Sequence, residues 1–179
     1  MSIHQQVTIP ASPHDAYPIL ADAKALSALS GMDGKSGFAE GEEYCPFGGR
    51  VTGRQVELVP ARRIVQVWRL PEWEPGKYSV VRFTFEPAGA GTLLTVDQDG
   101  YPEGSDTVGC HETWHDHLSE GWGMFYLDPL ARHAQFTGAG AARGFIARGD
   151  AAGPRGVAFQ QPKDPAGWAR GLGVVCAYS

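Results

Sequence analysis

A helical apolar stripe between residues 107 and 133 is the feature that most constrains the fold of this chain. Its members recur at the three- and four-residue spacing of one helix face: Trp114, Leu118, Gly121, Trp122 and Phe125. The opposite face is polar, with Asp116, Glu120 and, less squarely, His117. A helix of about 25 residues is about 38 Å long, enough to cross a whole sheet, and its stripe needs a partner of that size. Pro129 predicts a kink or a restart in its last turns.

The residues before this helix carry β-strand signals that supply such a partner. Short β-branched or alternating segments, separated by Gly and Pro turns, lie at 3–9, 38–47, 50–59, 62–70, 79–86 and 92–98. The alternation is clearest where Val81, Phe83 and Phe85 share one face. After the first strand, Ser12 and Asp22 predict the N-caps of two short helices.

This order of elements predicts an α+β fold for residues 1–135. A curved antiparallel β-sheet wraps around a long C-terminal α-helix, a helix-grip fold, and two short helices follow the first strand. The stripe then faces the concave side of the sheet. Residues 136–179 hold nine glycines and ten alanines without apolar periodicity, which predicts a disordered or loosely packed tail.

Charge and cysteine content limit the classes of partner. Residues 1–135 hold 10 Lys and Arg against 18 Asp and Glu, a net charge of −8, and residues 136–179 hold 5 against 2. An acidic domain disfavours nucleic acid as a partner. No apolar run is long enough for a membrane span. Cys45, Cys110 and Cys176 show no disulfide or metal spacing, so we expect a cytoplasmic protein with reduced thiols.

The string His111-Glu112-Thr113-Trp114-His115 matches the HExxH pattern on a predicted helix. Two histidines four residues apart share a helix face and can bind Zn²⁺, with the glutamate as general base. Against this, Asp116 follows the second histidine and no third ligand is evident downstream. We therefore predict no metal site, and His111 and His115 remain candidate acid–base groups in a pocket.

Arginines at four strand positions invite a second hypothesis, an anion site. They are Arg54, Arg62, Arg63 and Arg82, and acidic residues lie beside them along the chain. Long charged side chains that alternate on strands are typical of a solvated sheet face. The pattern favours that interpretation over an anion site.

Several short strings, in this order and spacing, resemble the SRPBCC superfamily, which includes START lipid-binding domains, birch-pollen allergens and polyketide cyclases. The strings lie at 9–12, 48–53, 57–60, 91–94 and 121–122. Within the superfamily, the chain most resembles the family of the C-terminal domain of the activator of heat-shock protein 90 ATPase, over about residues 3–133. The resemblance implies a cavity between sheet and helix that holds a small apolar or amphipathic molecule. It implies no cofactor and no shared catalytic residues, and it suggests a chaperone as a second partner.

The candidate ligand pocket follows from that cavity. Its predicted residues are Trp68, Phe83, Phe85, Tyr101, His111, Trp114, His115, Leu118, Trp122 and Phe125. These aromatic side chains line a cavity or fill a dry core, and the sequence leaves the two open. The main interpretation is a non-enzymatic or weakly enzymatic binding domain that encloses a small hydrophobic molecule. The alternatives are a module that stimulates a heat-shock ATPase and a cyclase- or hydrolase-like enzyme that uses the two histidines.

Overall fold

The computed structural model describes residues 2–104 and 113–133. Within these residues, seven strands form one antiparallel sheet in the order β1-β7-β6-β5-β4-β3-β2. The strands are β1 (Ser2–Ile9), β2 (Lys35–Ser36), β3 (Glu43–Cys45), β4 (Thr52–Val59), β5 (Arg63–Arg69), β6 (Ser79–Ala88) and β7 (Gly91–Asp99). The helices are α1 (Pro13–Ala21), α2 (Ala23–Ala28) and α3 (Trp114–Gly121), which continues into a π-helical segment (Trp122–Leu127), and a 3₁₀ turn covers Phe47–Gly49. The predicted α+β class and helix-grip order are confirmed.

The two short helices begin where their capping residues predict. The Ser12 hydroxyl accepts a hydrogen bond from the Asp15 N–H at 3.3 Å, and the Asp22 carboxylate accepts one from the Lys24 N–H at 2.9 Å. Each cap satisfies an amide that the first helical turn leaves without a partner. Leu20 and Leu26 are fully buried, so α1 and α2 close the end of the hollow formed by the sheet.

Of the strand predicted at 38–47, only β3 forms in the structure, because residues 37–42 are a loop and β2 precedes the predicted range. Gly41 has a φ of +86°, a left-handed conformation that interrupts a strand. The loop is held to β4 instead, because the Gly41 N–H donates to the Gln55 carbonyl at 2.7 Å. The single predicted strand was therefore wrong in extent, because the glycine turn interrupts the segment despite its aromatic residues.

The inner face of the sheet follows the alternation of the sequence. On β6, Val81, Phe83 and Phe85 are buried, while Arg82 and Glu86 between and after them are exposed. Antiparallel pairing of β6 with β5 and β7 places these apolar residues beside the inward residues of the neighbouring strands. The inward residues of β6 are thus apolar, while its outward residues include charged ones.

The long helix begins later than predicted. Its N-cap is Thr113, whose backbone is extended and whose hydroxyl accepts a hydrogen bond from the Asp116 N–H at 3.2 Å, so α3 starts at Trp114. Residues 105–112 lie outside the described residues. From Trp114 the helix is continuous to His133. Its widened π turn comes directly before Pro129, which has no N–H to give to a regular α turn.

The tail at 136–179 also lies outside the described residues, so its separation from the 1–135 domain stays a prediction. In the part of the chain that the structure describes, no helix is long and apolar enough to cross a membrane.

Gly53 is expected to be essential for pairing β4 with β5, because a Cβ at this position would overlap the Val67 carbonyl oxygen. We expect Gly53→Ala to lower the free energy of unfolding by about 1–3 kcal/mol, measured by urea denaturation. The control is Gly123→Ala, where a Cβ meets no atom within 4 Å. That helical substitution should raise stability by up to about 1 kcal/mol. Equal effects of the two substitutions would contradict the close approach.

Candidate functional site

An aromatic cluster joins the helix to the concave face of the sheet. The indole rings of Trp122 and Trp68 are stacked, with centroids 4.9 Å apart and planes at 23°. Phe83 meets Trp122 edge-on at 5.6 Å, Tyr126 lies 5.3 Å from Trp68, and Phe47 meets Tyr126 edge-on at 5.0 Å. These are contact distances for aromatic rings. At this part of the hollow, the five rings pack against one another.

The π turn decides which helix residues enter the cluster. In this turn the Asp128 N–H donates to the Gly123 carbonyl, five residues back instead of four. The wider turn moves the buried face by one residue, so Tyr126 is buried while Phe125 is only half-buried against the core. The predicted stripe, which continues from Trp122 to Phe125, is therefore displaced after Trp122.

Buried glutamines connect the strands beneath the cluster. The Gln55 amide donates to the Ala21 carbonyl at the end of α1 at 2.8 Å. The Gln66 amide donates to the Gln55 side-chain oxygen at 2.9 Å, and the Trp68 indole N–H donates to the Gln66 oxygen at 2.9 Å. A buried polar chain of this kind is stabilising only when each member is paired. It fixes α1, β4 and β5 relative to one another.

A second polar chain anchors the helix. The Trp122 indole N–H donates to the Gln98 oxygen at 2.8 Å, and the Gln98 amide donates to the Ser79 hydroxyl at 2.9 Å. On the other side of the hollow, the buried Tyr44 hydroxyl donates to the Leu20 carbonyl at 3.2 Å. The orientation of Trp122 is thus set by a hydrogen bond as well as by stacking.

Three buried aromatic side chains carry polar atoms that lack a hydrogen-bond partner within the described residues. They are Trp73, whose Nε1 is buried, and Tyr101 and Tyr126, whose hydroxyls are buried. Their side chains are 2%, 7% and 6% exposed. Folded proteins pair most buried polar atoms, so each of these groups can take a partner that the described residues do not supply, such as water or a ligand.

Trp73 and Tyr101 lie on either side of the first turn of α3. The Trp73 ring meets Trp114 edge-on at 5.7 Å, and the Tyr101 ring lies 6.2 Å from the His115 ring. The Trp114 N–H donates to the Gly104 carbonyl at 3.3 Å, which ties the segment after β7 to the helix start. We call Trp73, Tyr101, Trp114 and His115 the helix-start site.

The phenols of the hollow are neutral over the physiological range. Burial raises the pKa of Tyr101, and the carboxylates of Asp99 and Asp116 raise that pKa further. Burial also raises the pKa of Tyr126 well above its ordinary value, with a smaller contribution from Tyr44. A neutral phenol both donates and accepts a hydrogen bond, so these hydroxyls can bind either kind of polar group.

The histidines depart from the expected arrangement. His111 lies outside the described residues. The His115 side chain is 36% exposed, and its Nδ1 lies 3.4 Å from the Asp116 carboxylate at the edge of the hollow. His117, expected on the polar face, is only 7% exposed and its ring lies 5.5 Å from Trp114. The hollow encloses the helix start on more than one side, so its buried arc is wider than one apolar stripe.

Seven of the ten predicted pocket residues are buried: Trp68, Phe83, Phe85, Tyr101, Trp114, Leu118 and Trp122. Their assignment to a ligand pocket stays a prediction. Sequence reasoning missed Phe47, Trp73 and Tyr126, which join the same clusters. A lone tryptophan between two prolines in the 71–75 loop was the available signal for Trp73. Among the described residues, no group of three His, Cys, Asp or Glu side chains is arranged to hold a metal ion.

A curved antiparallel sheet closed over a C-terminal helix defines a helix-grip domain. The model of the family described as "Activator of Hsp90 ATPase homolog 1-like protein" matches residues 10–134. The chain belongs to this family, as its resemblance predicted.

Curated relatives carry the same family description in their names. The chain is 35% identical over 92 residues to an activator of 90 kDa heat shock protein ATPase homolog from Dictyostelium discoideum, covering 51% of this chain and 24% of the relative. It is 22% identical over 119 residues to homolog 1 from Homo sapiens, covering 66% of this chain and 32% of the relative. The chain thus spans between about a quarter and a third of the length of these two relatives.

Solved structures share the fold. An Hsp90 activator from Plasmodium falciparum has a TM-score of 0.67 at 21% identity, with 75% of this chain and 96% of that chain covered. The Aha1 dimer from Colwellia psychrerythraea has a TM-score of 0.57 at 20% identity, with 72% and 92% covered. At these identities the likeness establishes the fold alone.

The Gln98 chain gives a test of how the helix is anchored. Gln98→Leu leaves the Trp122 N–H and the Ser79 hydroxyl without their shared buried partner. We expect the free energy of unfolding to fall by about 1–3 kcal/mol, measured by urea denaturation with tryptophan fluorescence. Gln6→Leu, which removes an amide bonded to Thr95 on the exposed face, should change stability by less than about 0.5 kcal/mol. A similar loss in both variants would contradict a special role for Gln98.

Proposed function

We propose that this domain binds a small amphipathic molecule at the helix-start site. The observation that carries the proposal is the pair of buried polar atoms, Trp73 Nε1 and Tyr101 Oη, that have no partner within the described residues. The polar atoms of Gln55, Gln66 and Gln98 close by in the hollow are all paired. Unpaired atoms beside paired ones suggest sites that a ligand completes.

The chemistry of these two atoms limits the ligand. An indole N–H only donates, so Trp73 requires an acceptor such as a carbonyl, carboxylate or sulfonate oxygen. The neutral Tyr101 hydroxyl can either donate a hydrogen bond to the ligand or accept one from it. The Trp73 and Trp114 rings offer apolar and aromatic surface for the body of the ligand. A molecule with an aromatic or aliphatic body and an oxygen acceptor meets all of these requirements.

The proposed binding is not catalytic. His115 is at the exposed edge of the site, and its described neighbours are the ring of Tyr101 and the carboxylate of Asp116. This arrangement supports an orienting role more than an acid–base role in a closed pocket. A cyclase- or hydrolase-like activity needs His111 as well, and that residue lies outside the described part of the chain.

The proposal predicts opposite effects of one change on stability and on binding. In Tyr101→Phe, a buried hydroxyl without a partner is removed, so the free energy of unfolding should be unchanged or slightly higher. The affinity for 8-anilinonaphthalene-1-sulfonate, an aromatic sulfonate probe, should fall about 2- to 10-fold, the value of one lost hydrogen bond. Fluorescence titration of the probe measures this affinity.

Trp73→Phe, which keeps a ring but removes the indole N–H, should reduce probe affinity by a similar factor. Tyr78→Phe is the matched control, because the Tyr78 side chain is 51% exposed and does not belong to the helix-start site. The unsubstituted protein should enhance probe fluorescence with saturation. Absence of saturable binding, or equal losses in the control and the site variants, would refute the proposal.

A second candidate function is contact with an Hsp90-type chaperone in the cytoplasm. It is favoured by the match of residues 10–134 to the activator family and by the Plasmodium falciparum neighbour, which is covered over 96% of its chain. In a coupled assay with a purified Hsp90 ATPase, we expect this protein to increase the rate of ATP hydrolysis to a saturating value. An equal concentration of serum albumin is the control. No increase at saturating concentrations would remove this candidate.

A further inference from the structure

A groove of about 380 Å³ lies on the charged side of the sheet, where β4 turns into β5 beside β6. Its residues are Val59, Arg62, Arg63, Arg82, Thr84, Phe85 and Glu86. Arg82 and Glu86 belong to the exposed face of β6, opposite to the aromatic hollow. The groove is thus separate from the helix-start site.

Arg54, Arg62, Arg63 and Arg82 are all exposed, as a solvated sheet face predicts, but they differ in their pairing. Arg63 is paired as expected: its guanidinium donates twice to the Glu57 carboxylate, at 2.8 and 2.6 Å. Arg63 lowers the pKa of Glu57, mainly through these hydrogen bonds. The more distant positive charge of Arg82 lowers this pKa further. Neither Arg62 nor Arg82 makes a side-chain hydrogen bond or ion pair within the described residues.

The acidic residue opposite Arg82 is engaged elsewhere. Arg82 lies across from Asp97 in the register of β6 and β7. The Asp97 carboxylate, however, is 2.7 Å from Nδ1 of His4 on β1. Arg82 therefore faces the groove without a close counter-ion, although its neighbour strand carries one.

The turn that presents Arg62 is strained. Ala61 has a φ of +56°, a left-handed conformation that usually requires Gly or Asn. The turn is closed by the Arg62 N–H, which donates to the Val59 carbonyl at 3.0 Å, and the Arg62 carbonyl accepts the Phe85 N–H at 2.9 Å. Residue 62 is thus fixed beside β6. Strain that the surrounding structure maintains is typical of binding sites.

We infer that this groove docks an acidic peptide segment of a partner protein. Arg62 and Arg82 supply two guanidinium groups for carboxylates, and the half-buried Val59 supplies apolar surface for a neighbouring side chain. Glu86 repels a carboxylate at its own end, which limits how the segment can lie.

The charge of the rest of the domain decides between a short segment and a long polyanion. Residues 1–135 carry a net charge of −8, so a nucleic acid that extends beyond the groove is repelled. A short acidic and apolar peptide stays within the positive region. The lining is mixed, with the half-buried Val59 beside the arginines, which also favours a peptide over a bare inorganic anion.

The experiment uses the full chain and a fluorescein-labelled eight-residue peptide of alternating glutamate and leucine, with fluorescence anisotropy as the readout. The double variant Arg62→Gln and Arg82→Gln should weaken binding at least about tenfold, the loss expected for two charge-assisted hydrogen bonds. Because both side chains are exposed, its thermal melting should be unchanged. Raising the salt concentration should weaken binding by the unsubstituted protein.

Lys24→Gln with Lys77→Gln is the matched control, since it removes the same charge from two exposed side chains outside the groove. This control should retain affinity within about twofold, a change below 0.5 kcal/mol. Equal losses of peptide affinity in both double variants would mean that overall charge, and not the groove, determines binding. That result would overturn the inference. It is also overturned if the unsubstituted protein does not bind the peptide, or if millimolar inorganic phosphate displaces it completely. None of these results depends on the aromatic probe, so this inference and the proposed function fail separately.

Discussion

The contact between Trp122 and Trp68 determines how the helix closes the sheet. The two indoles stack at 4.9 Å, and the N–H of each donates to a buried glutamine, Gln98 for one and Gln66 for the other. Stacking alone permits rings to slide, whereas a hydrogen bond at the edge of each ring fixes its rotation. Because Gln98 and Gln66 belong to β7 and β5, the helix is positioned over the middle of the sheet. The helix-start site lies at the first turn of this same helix.

Polar pairing differs between the middle of the hollow and the helix start. Under Trp122, the oxygens and amides of Gln55, Gln66 and Gln98 are paired with each other, with indoles, with the Ser79 hydroxyl or with a backbone carbonyl, while the Tyr126 hydroxyl stays unpaired within the described residues. At the helix start, the Trp73 indole N–H and the Tyr101 hydroxyl are both buried and unpaired within the described residues. The inward glutamines of β4, β5 and β7 supply the partners in the middle of the hollow, and among the described residues none of them bonds to Trp73 or Tyr101.

The fold could be predicted from the sequence because its signals are local. Alternation along β6, the caps at Ser12 and Asp22 and the stripe from Trp114 to Trp122 each depend on a few adjacent residues. The site could be predicted only in part. A π turn changes which residue after Trp122 is buried, and helical periodicity assumes that no such turn occurs. Burial of His117 and Trp73 depends on elements distant in sequence, which no local pattern records.

The two faces of the sheet obtain opposite chemistry from the same strands. Each inward residue of β6, such as Phe83, is followed by an outward one, so the strand that supports the aromatic cluster also carries Arg82. On the convex face, charged side chains pair across neighbouring strands. His4 pairs with Asp97, and Glu57 pairs with Arg63. Among the residues that the structure describes, this leaves Arg62 and Arg82 as cations without a close counter-ion in an acidic domain. A shift of the β6–β7 register by one residue would turn Arg82 into the hollow and Phe83 to solvent, so the register that buries the core also creates the basic groove.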